Sequence, residues 1–171
     1  MLFRSVTEQE ILNIIKNISN STSYDVNCFC PKFIKQFAEE LSMPLTYLIN
    51  FSFENGHFPE LLKISKILPI FKQGDKLDPN NYRAIAILPV FSKIYERALY
   101  NRIVQFFQEF YLFNKAQHGF RKNKYTLTGI FEIVENILKN LDDHEKVFGL
   151  FLDLSKAFDC VDHNILLNKM E

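Results

Sequence analysis

Near its end the chain carries Val147-Phe148-Gly149-Leu150-Phe151-Leu152-Asp153-Leu154, an almost unbroken apolar run of strand length. The run has no helical period and is too short to span a bilayer, which takes about 20 residues, so it predicts a strand buried on both faces. Such a strand needs neighbours in a sheet and cover above and below. It excludes a purely helical bundle and, set among helical segments, predicts an α+β chain.

The helical segments announce themselves by period. Thr7-Glu8-Gln9-Glu10 has the pattern of a reciprocal capping box, and Ile11, Ile14, Ile15 and Ile18 follow at helical spacing, predicting a helix over 8–18 that ends at Asn20-Ser21-Thr22-Ser23. Two further helices are expected over 31–41 and 43–54, divided near Ser42, with Gly56 in the left-handed position that closes the second. Ile64-Ser65-Lys66-Ile67-Leu68-Pro69-Ile70-Phe71-Lys72 is short and β-branched, and reads as a strand. Pro69 assigns it to an edge, and the turn residues Gln73-Gly74-Asp75 and Asp78-Pro79-Asn80-Asn81 lead to a second strand over 82–88. From Pro89, residues Phe91, Tyr95, Leu99, Ile103, Phe107 and Phe110 recur every three or four positions, giving a long amphipathic helix. After a loop, Leu127, Ile130, Phe131, Val134, Ile137, Leu138 and Leu141 line another, weakened at Gly129 by about 1 kcal/mol relative to Ala. Asp142-Asp143-His144-Glu145 then turns the chain into the apolar run.

Composition narrows the class. At 47% hydrophobic with 18 Phe, the chain has the apolar material of a folded protein, so disorder is excluded. No apolar stretch reaches about 18 residues, and Met1-Leu2-Phe3-Arg4 is too short for a signal peptide; a soluble intracellular protein without a membrane partner is expected. Cys28, Cys30 and Cys160 lack the spacing of a zinc site, which leaves burial as the expectation for the first two. The zero formal charge conceals a division: residues 61–125 carry twelve Lys and Arg against four Asp and Glu, while both flanks are acidic. A block at +8 suits a nucleic-acid or polyphosphate surface, and equally a solvated face.

Asp153 is the first candidate for chemistry. A carboxylate at the end of an apolar strand needs a cation or hydrogen-bond donors, and Mg²⁺ prefers hard oxygen ligands; a carboxylate that caps the following turn is the structural alternative.

The segment Phe151-Leu152-Asp153-Leu154-Ser155-Lys156-Ala157-Phe158-Asp159-Cys160-Val161-Asp162-His163 resembles the first catalytic motif of LINE-type, non-LTR reverse transcriptases. Upstream, Leu68-Pro69-Ile70-Phe71-Lys72-Gln73-Gly74-Asp75 with Asn81-Tyr82-Arg83, then Leu88-Pro89-Val90-Phe91-Ser92-Lys93, then Gln117-His118-Gly119-Phe120-Arg121 resemble the family's fingers motifs in order. Asn55-Gly56-His57-Phe58-Pro59 and the helices before it look like the corresponding part of jockey-like elements. The resemblance implies a right-hand polymerase: a helical N-terminal extension over 1–57, fingers over 58–145, and the start of the palm over 146–171. It implies an RNA-directed DNA polymerase acting on an RNA template, a DNA primer and dNTPs, with nuclear residence.

By the same resemblance Asp153 and the backbone carbonyl of Leu154 would hold two Mg²⁺ ions, and Phe158 would be the steric gate against a ribonucleotide's 2′-hydroxyl. Lys72 and Arg83 would close over the incoming triphosphate, the one a point charge and the other a planar fork. Gln117, Gly119 and Arg121 would shape the fingers and touch template backbone, with Gly119 supplying a backbone geometry other residues resist. His118 and His163 are expected to be structural or surface residues. Asp159 and Asp162 are expected to point away from the metals.

Ala84, Tyr125 and Gly129 depart from the residues usual in the family, namely Pro, Ser and Ala, and Tyr24-Asp25-Val26 lacks the usual glycines around its aspartate. The family's second acidic motif and the thumb have no counterpart up to Glu171, so the chain alone is expected not to polymerise. A non-catalytic nucleic-acid-binding remnant and a decayed element product are the rival readings.

Overall fold

The computed structural model describes residues 4–154 and 157–170. Met1, Leu2 and Phe3 of the opening stretch, Ser155 and Lys156 of the acidic motif, and Glu171 lie outside the described residues. Two compact units divide the chain, Met1–Phe113 and Asn114–Glu171.

The first unit runs α1 (Glu8–Lys16), α2 (Pro31–Gln36), α3 (Ala38–Asn55), a 3₁₀ turn (Glu60–Lys63), β1 (Lys66–Phe71), β2 (Tyr82–Ile87) and α4 (Val90–Glu109). Helix α1 starts where expected, with the Thr7 hydroxyl accepting from Glu10 N at 3.3 Å. Only that half of the capping box forms. The Glu10 carboxylate turns instead to Arg102, because a charge-assisted bidentate pair outweighs one bond to an exposed N–H.

The break between α2 and α3 falls at Phe37 (φ −104°, ψ 29°), not near Ser42. Ala38, Ser42, Leu45, Ile49 and Ser52 are buried every three or four residues without interruption, and that continuous face carries α3 through Pro44. Interior proline costs a helix about 3 kcal/mol in isolation, so packing overrides propensity here. Ser42 is not a breaker: its hydroxyl donates to Glu8 Oε1 at 2.8 Å. Gly56 ends α3 at φ 60°, as expected.

Helix α1 packs on α3 and on α4, around a core of Val6, Ile11, Ile15, Ile34, Ala38, Leu45, Ile49, Val90, Ile94, Tyr95 and Ala98. The deepest row of α4 is Val90, Ile94, Ala98 and Arg102, at four-residue steps. Tyr95 from the expected apolar face is buried, Phe91, Leu99, Ile103 and Phe107 are half-buried beside that row, and Phe110 is exposed. A row ending in a charge escapes any search for apolar periodicity.

Two polar anchors fix α4. Arg102 Nη2 donates to Glu10 Oε2 at 2.7 Å and Nη1 to Oε1, while Nε donates to the Arg4 carbonyl at 2.9 Å and Nη2 to the Ser5 carbonyl at 3.1 Å. At the other end, the buried Asp25 accepts from Val90 N through Oδ2 (2.8 Å), and from Asn27 N and Phe29 N through Oδ1 (both 2.9 Å). Its charge lies at the positive end of the helix dipole, in a role usually taken by an adjacent capping residue. Pro89, the adjacent residue, offers no side-chain cap.

Strands β1 and β2 form an antiparallel hairpin, in register from Lys66↔Ile87 to Phe71↔Tyr82, with both faces exposed. Each strand is an edge, which accommodates Pro69 as expected.

The second unit contains α5 (Thr126–Asp142) and α6 (His163–Met170). His144 at φ 58° closes α5, and Asp162 Oδ1 caps α6 by accepting from Asn164 N (2.9 Å) and Ile165 N (3.1 Å). The apolar run 147–154 is neither a strand nor buried: Leu150, Phe151 and Leu152 are all more than 80% exposed. The reason is elementary, since a strand is held by hydrogen bonds to neighbouring strands and none lies beside it among the described residues. The α+β class holds, and among the described residues no helix is long and apolar enough to cross a membrane.

Candidate functional site

The hairpin positions two of the expected residues together. Lys72 lies one residue past β1, and its N–H continues the ladder by donating to the Asn81 carbonyl at 2.8 Å. Arg83 on β2 pairs with Ile70. Because side chains alternate along a strand, Ile70, Lys72 and Arg83 share one face, with Lys72 and Arg83 as diagonal neighbours. Both are exposed, and among the described residues neither has a carboxylate within salt-bridge distance. Two unpaired cations side by side, one a fork and one a point charge, suit a ligand with several negative oxygens.

The opposite face and the connecting loop keep the hairpin in register. The Phe71 and Tyr82 rings meet edge to face at 5.5 Å, with the Lys76 ammonium 5.9 Å from the Phe71 ring centre. Tyr82 OH donates to the Lys76 carbonyl (2.9 Å), and Asn81 Nδ2 to the Asp75 carbonyl (2.9 Å). Gly74, at φ 94°, is required: a Cβ there would stand 2.7 Å from Asn81 Nδ2.

In the second unit, Asp153 and Leu154 belong to the exposed run. The Asp153 carboxylate therefore pays no desolvation cost, contrary to the expectation from a buried strand, and has no protein partner among the described residues. Among those residues no three His, Cys, Asp or Glu side chains converge as metal ligands. Phe158 is exposed, its ring edge-on to that of Phe120 at 6.0 Å and 79°. This contact joins the acidic motif to the 117–121 loop.

Within that loop Gln117 Nε2 reaches the Gly119 carbonyl at 3.4 Å, and Arg121 Nη1 donates to the Asn114 carbonyl at 3.0 Å. Gly119 does not supply the backbone geometry expected of it: the left-handed residue of the loop is Phe120 (φ 59°), and a Cβ on Gly119 would meet open space. His118 is structural, as expected: Nδ1 lies 2.8 Å from Thr128 Oγ1 and Nε2 2.8 Å from Glu132 Oε2, docking the loop on α5 beside Gly129. Cys30 is buried, whereas Cys28, at φ 62°, is exposed.

Residues 70–171 match the family described as reverse transcriptase (RNA-dependent DNA polymerase). The chain belongs to the reverse transcriptase family. Among curated proteins it is 28% identical over 169 residues to the probable RNA-directed DNA polymerase from transposon BS of Drosophila melanogaster, across 98% of this chain and 19% of that protein. It is 31% identical over 155 residues to the corresponding protein of transposon X-element of the same species, across 90% of this chain and 17% of the relative. To the RNA-directed DNA polymerase from mobile element jockey of Drosophila melanogaster it is 29% identical over 166 residues, across 96% and 18%. The chain thus spans about a fifth of the length of the curated relatives it matches. The likeness to jockey-type reverse transcriptases includes the helices before the hairpin, since the alignments cover nearly all of the chain.

The structure brings Lys72 and Arg83 onto one face of the hairpin, and it gives Glu10, Asp25 and Arg102 anchoring roles that sequence reasoning missed. The available signals were slight: Asn27 two residues after Asp25 is an Asx-turn spacing, and Arg102 continues the Ile94 and Ala98 row.

Proposed function

We propose that this chain supplies the nucleotide-facing front of an RNA-directed DNA polymerase, with residues 1–57 as a helical extension, 58–145 as fingers and 146–171 as the start of the palm. The observation that carries the reading is the hairpin: the family's basic pair, Lys72 and Arg83, stands unpaired on one face of a loop-braced ladder. On that face the two side chains would bind and orient the triphosphate of an incoming dNTP. Gln117, Gly119 and Arg121 would contact template backbone.

Asp153 and the Leu154 carbonyl are hard oxygen donors, and the unencumbered carboxylate fits Mg²⁺ in kind. When bound, a pair of such ions activates the primer 3′-hydroxyl and neutralises the leaving pyrophosphate. Asp153 accounts for one of the carboxylates needed to hold them, so further carboxylates must come from elsewhere in the polymerase. Phe158, five residues on, would occupy the space of a ribose 2′-hydroxyl.

The test is a chimera in which this chain replaces the matching segment of the jockey polymerase. Primer extension on an RNA template is expected, and Asp153→Asn should abolish it while leaving template binding within about twofold, because the basic residues are untouched. Phe158→Val should raise ribonucleotide incorporation by at least tenfold. Template binding without any extension would favour the non-catalytic reading, and an unchanged ribonucleotide ratio would make Phe158 a packing residue.

A further inference from the structure

The register of the hairpin decides which of its two outer edges can accept another strand. Lys72 N donates to the Asn81 carbonyl, so that pair is hydrogen-bonded, and in an antiparallel ladder such pairs alternate with non-hydrogen-bonded ones. The pairs Ile70↔Arg83, Leu68↔Ile85 and Lys66↔Ile87 therefore bond across the hairpin, while Phe71↔Tyr82, Pro69↔Ala84 and Ile67↔Ala86 turn their backbone groups outward. Pro69 fits an outward-turned pair, because it has no N–H to give the ladder.

The two edges are not alike. On β1 the outward row is Ile67, Pro69 and Phe71, so its middle donor is missing, and Lys66 and Lys72 flank it. Proline and lysine are the usual guards of an edge strand. On β2 the outward row is Tyr82, Ala84 and Ala86. Tyr82 N donates to the Pro79 carbonyl, but Ala84 and Ala86 are exposed and present two consecutive pairs of donor and acceptor. Among the described residues no strand lies beside β2 on that side. Ala84 stands where Pro, the residue usual in the family, would close the edge at its centre.

We propose that the outer edge of β2 pairs with β2 of a second copy of this chain, antiparallel, about a two-fold axis at Ile85. In this register Ala84 N donates to the Ala86 carbonyl of the second copy, and the Ala84 carbonyl accepts from the N–H of that same residue. By symmetry Ala86 does the same with Ala84 of the second copy, so every outward group of both alanines is used. A register centred on Ala84 is inferior: it sets the Ala86 carbonyl against Tyr82 N, already committed to Pro79, and brings the two Arg83 side chains to diagonal positions. Centred on Ile85, the pairing puts Arg83 opposite Ile87, and no like charges oppose one another. Ile85 meets its own copy in a non-hydrogen-bonded pair, where Cα atoms stand about 4.5 Å apart and side chains touch. Leu68 lies beside Ile85 on the same face, and both are partly exposed in the single chain, at 45% and 40%. Pairing makes one apolar row across four strands, Leu68 and Ile85 from each copy. The contact is small, so the dimer dissociates on dilution. It does not depend on what Lys72 and Arg83 bind, and so goes beyond the polymerase reading.

Sedimentation velocity of the whole chain over a wide concentration series tests it, with a monomer–dimer equilibrium expected. Ala84→Pro should raise the dissociation constant at least tenfold. Its N–H serves no bond within the hairpin, and proline favours an extended residue before it, which Arg83 already is. Ile85→Lys, which sets two cations face to face at the axis, should have the same effect. An equimolar mixture of Ile85→Lys and Ile85→Glu chains should recover association as a mixed dimer. That recovery requires the two side chains at position 85 to meet, so it distinguishes edge pairing from a hairpin damaged by substitution. In amide exchange of the unsubstituted chain, Ala84 and Ala86 should be slow only at high concentration, with Ile67 and Phe71 fast throughout. A monomer at every concentration would overturn the proposal. So would a dimer that persists in Ala84→Pro, which would assign association to another surface such as the exposed stripe of α5, or a charge-paired mixture that stays monomeric.

Discussion

Removing the Arg102 guanidinium would strand Glu10 and the carbonyls of Arg4 and Ser5 in a partly buried setting. Breaking a buried pair from one side generally costs several kcal/mol, so Arg102→Met should destabilise the first unit by about 3 kcal/mol in thermal or urea unfolding followed by helical circular dichroism. A loss below about 1 kcal/mol would mean the pair is replaceable by apolar packing. The pair also carries a pH signature. The hydrogen bonds from Arg102 hold the Glu10 carboxyl below its ordinary 4.5. A carboxyl depressed in the folded state contributes stability that is present in full above pH 4.5 and is lost as pH falls through the lowered folded value. Wild type should therefore weaken in acid more steeply than Glu10→Gln, and parallel acid profiles would refute the assignment. At this scale the sequence displayed single residues but not partners. Glu10 carried the signature of a capping box, and nothing local could reveal that a guanidinium 92 residues away would claim its carboxylate.

Elements were legible where their signals are local and silent where neighbours decide. Both strands of the hairpin, the turn residues between them and the start of the long helix at Pro89 follow from period and turn chemistry. The division of α2 from α3 did not, because a continuous buried face outweighed Pro44, and the run 147–154 did not, because a strand exists only with a partner. The start of α4 illustrates both cases: Pro89 marks it, yet the cap comes from Asp25, 65 residues earlier. Asp25→Ala should leave Val90 N without its acceptor and open the Asn27 and Phe29 turn, costing about 2 kcal/mol. In amide hydrogen exchange the first turn of α4 should lose protection first. Uniform loss across the unit would show instead that Asp25 serves the core at large.

Across the whole molecule burial is uneven, for among the described residues every buried one lies between Val6 and Arg102. Helix α5 has the apolar stripe expected of it, with Phe131, Leu138 and Leu141 each more than half exposed. Protection against exchange should accordingly be strong in α1, α3 and α4 and weak throughout α5 and α6, and protease should cut after Phe113 sooner than within the first unit. Amides in α5 protected as well as those in α3 would contradict this. The same contrast holds for the candidate residues of each unit: the basic pair of the first stands on a braced hairpin, and the acidic motif of the second on exposed backbone. The long reach of the α4 anchors has a further consequence during synthesis. At about 5–20 residues per second, Glu10 leaves the ribosome roughly 5–20 s before Arg102 does. The amino-terminal helices thus emerge with their apolar faces and both anchoring carboxylates still solvated, and the hairpin segment has also been synthesised before α4 arrives to cover them.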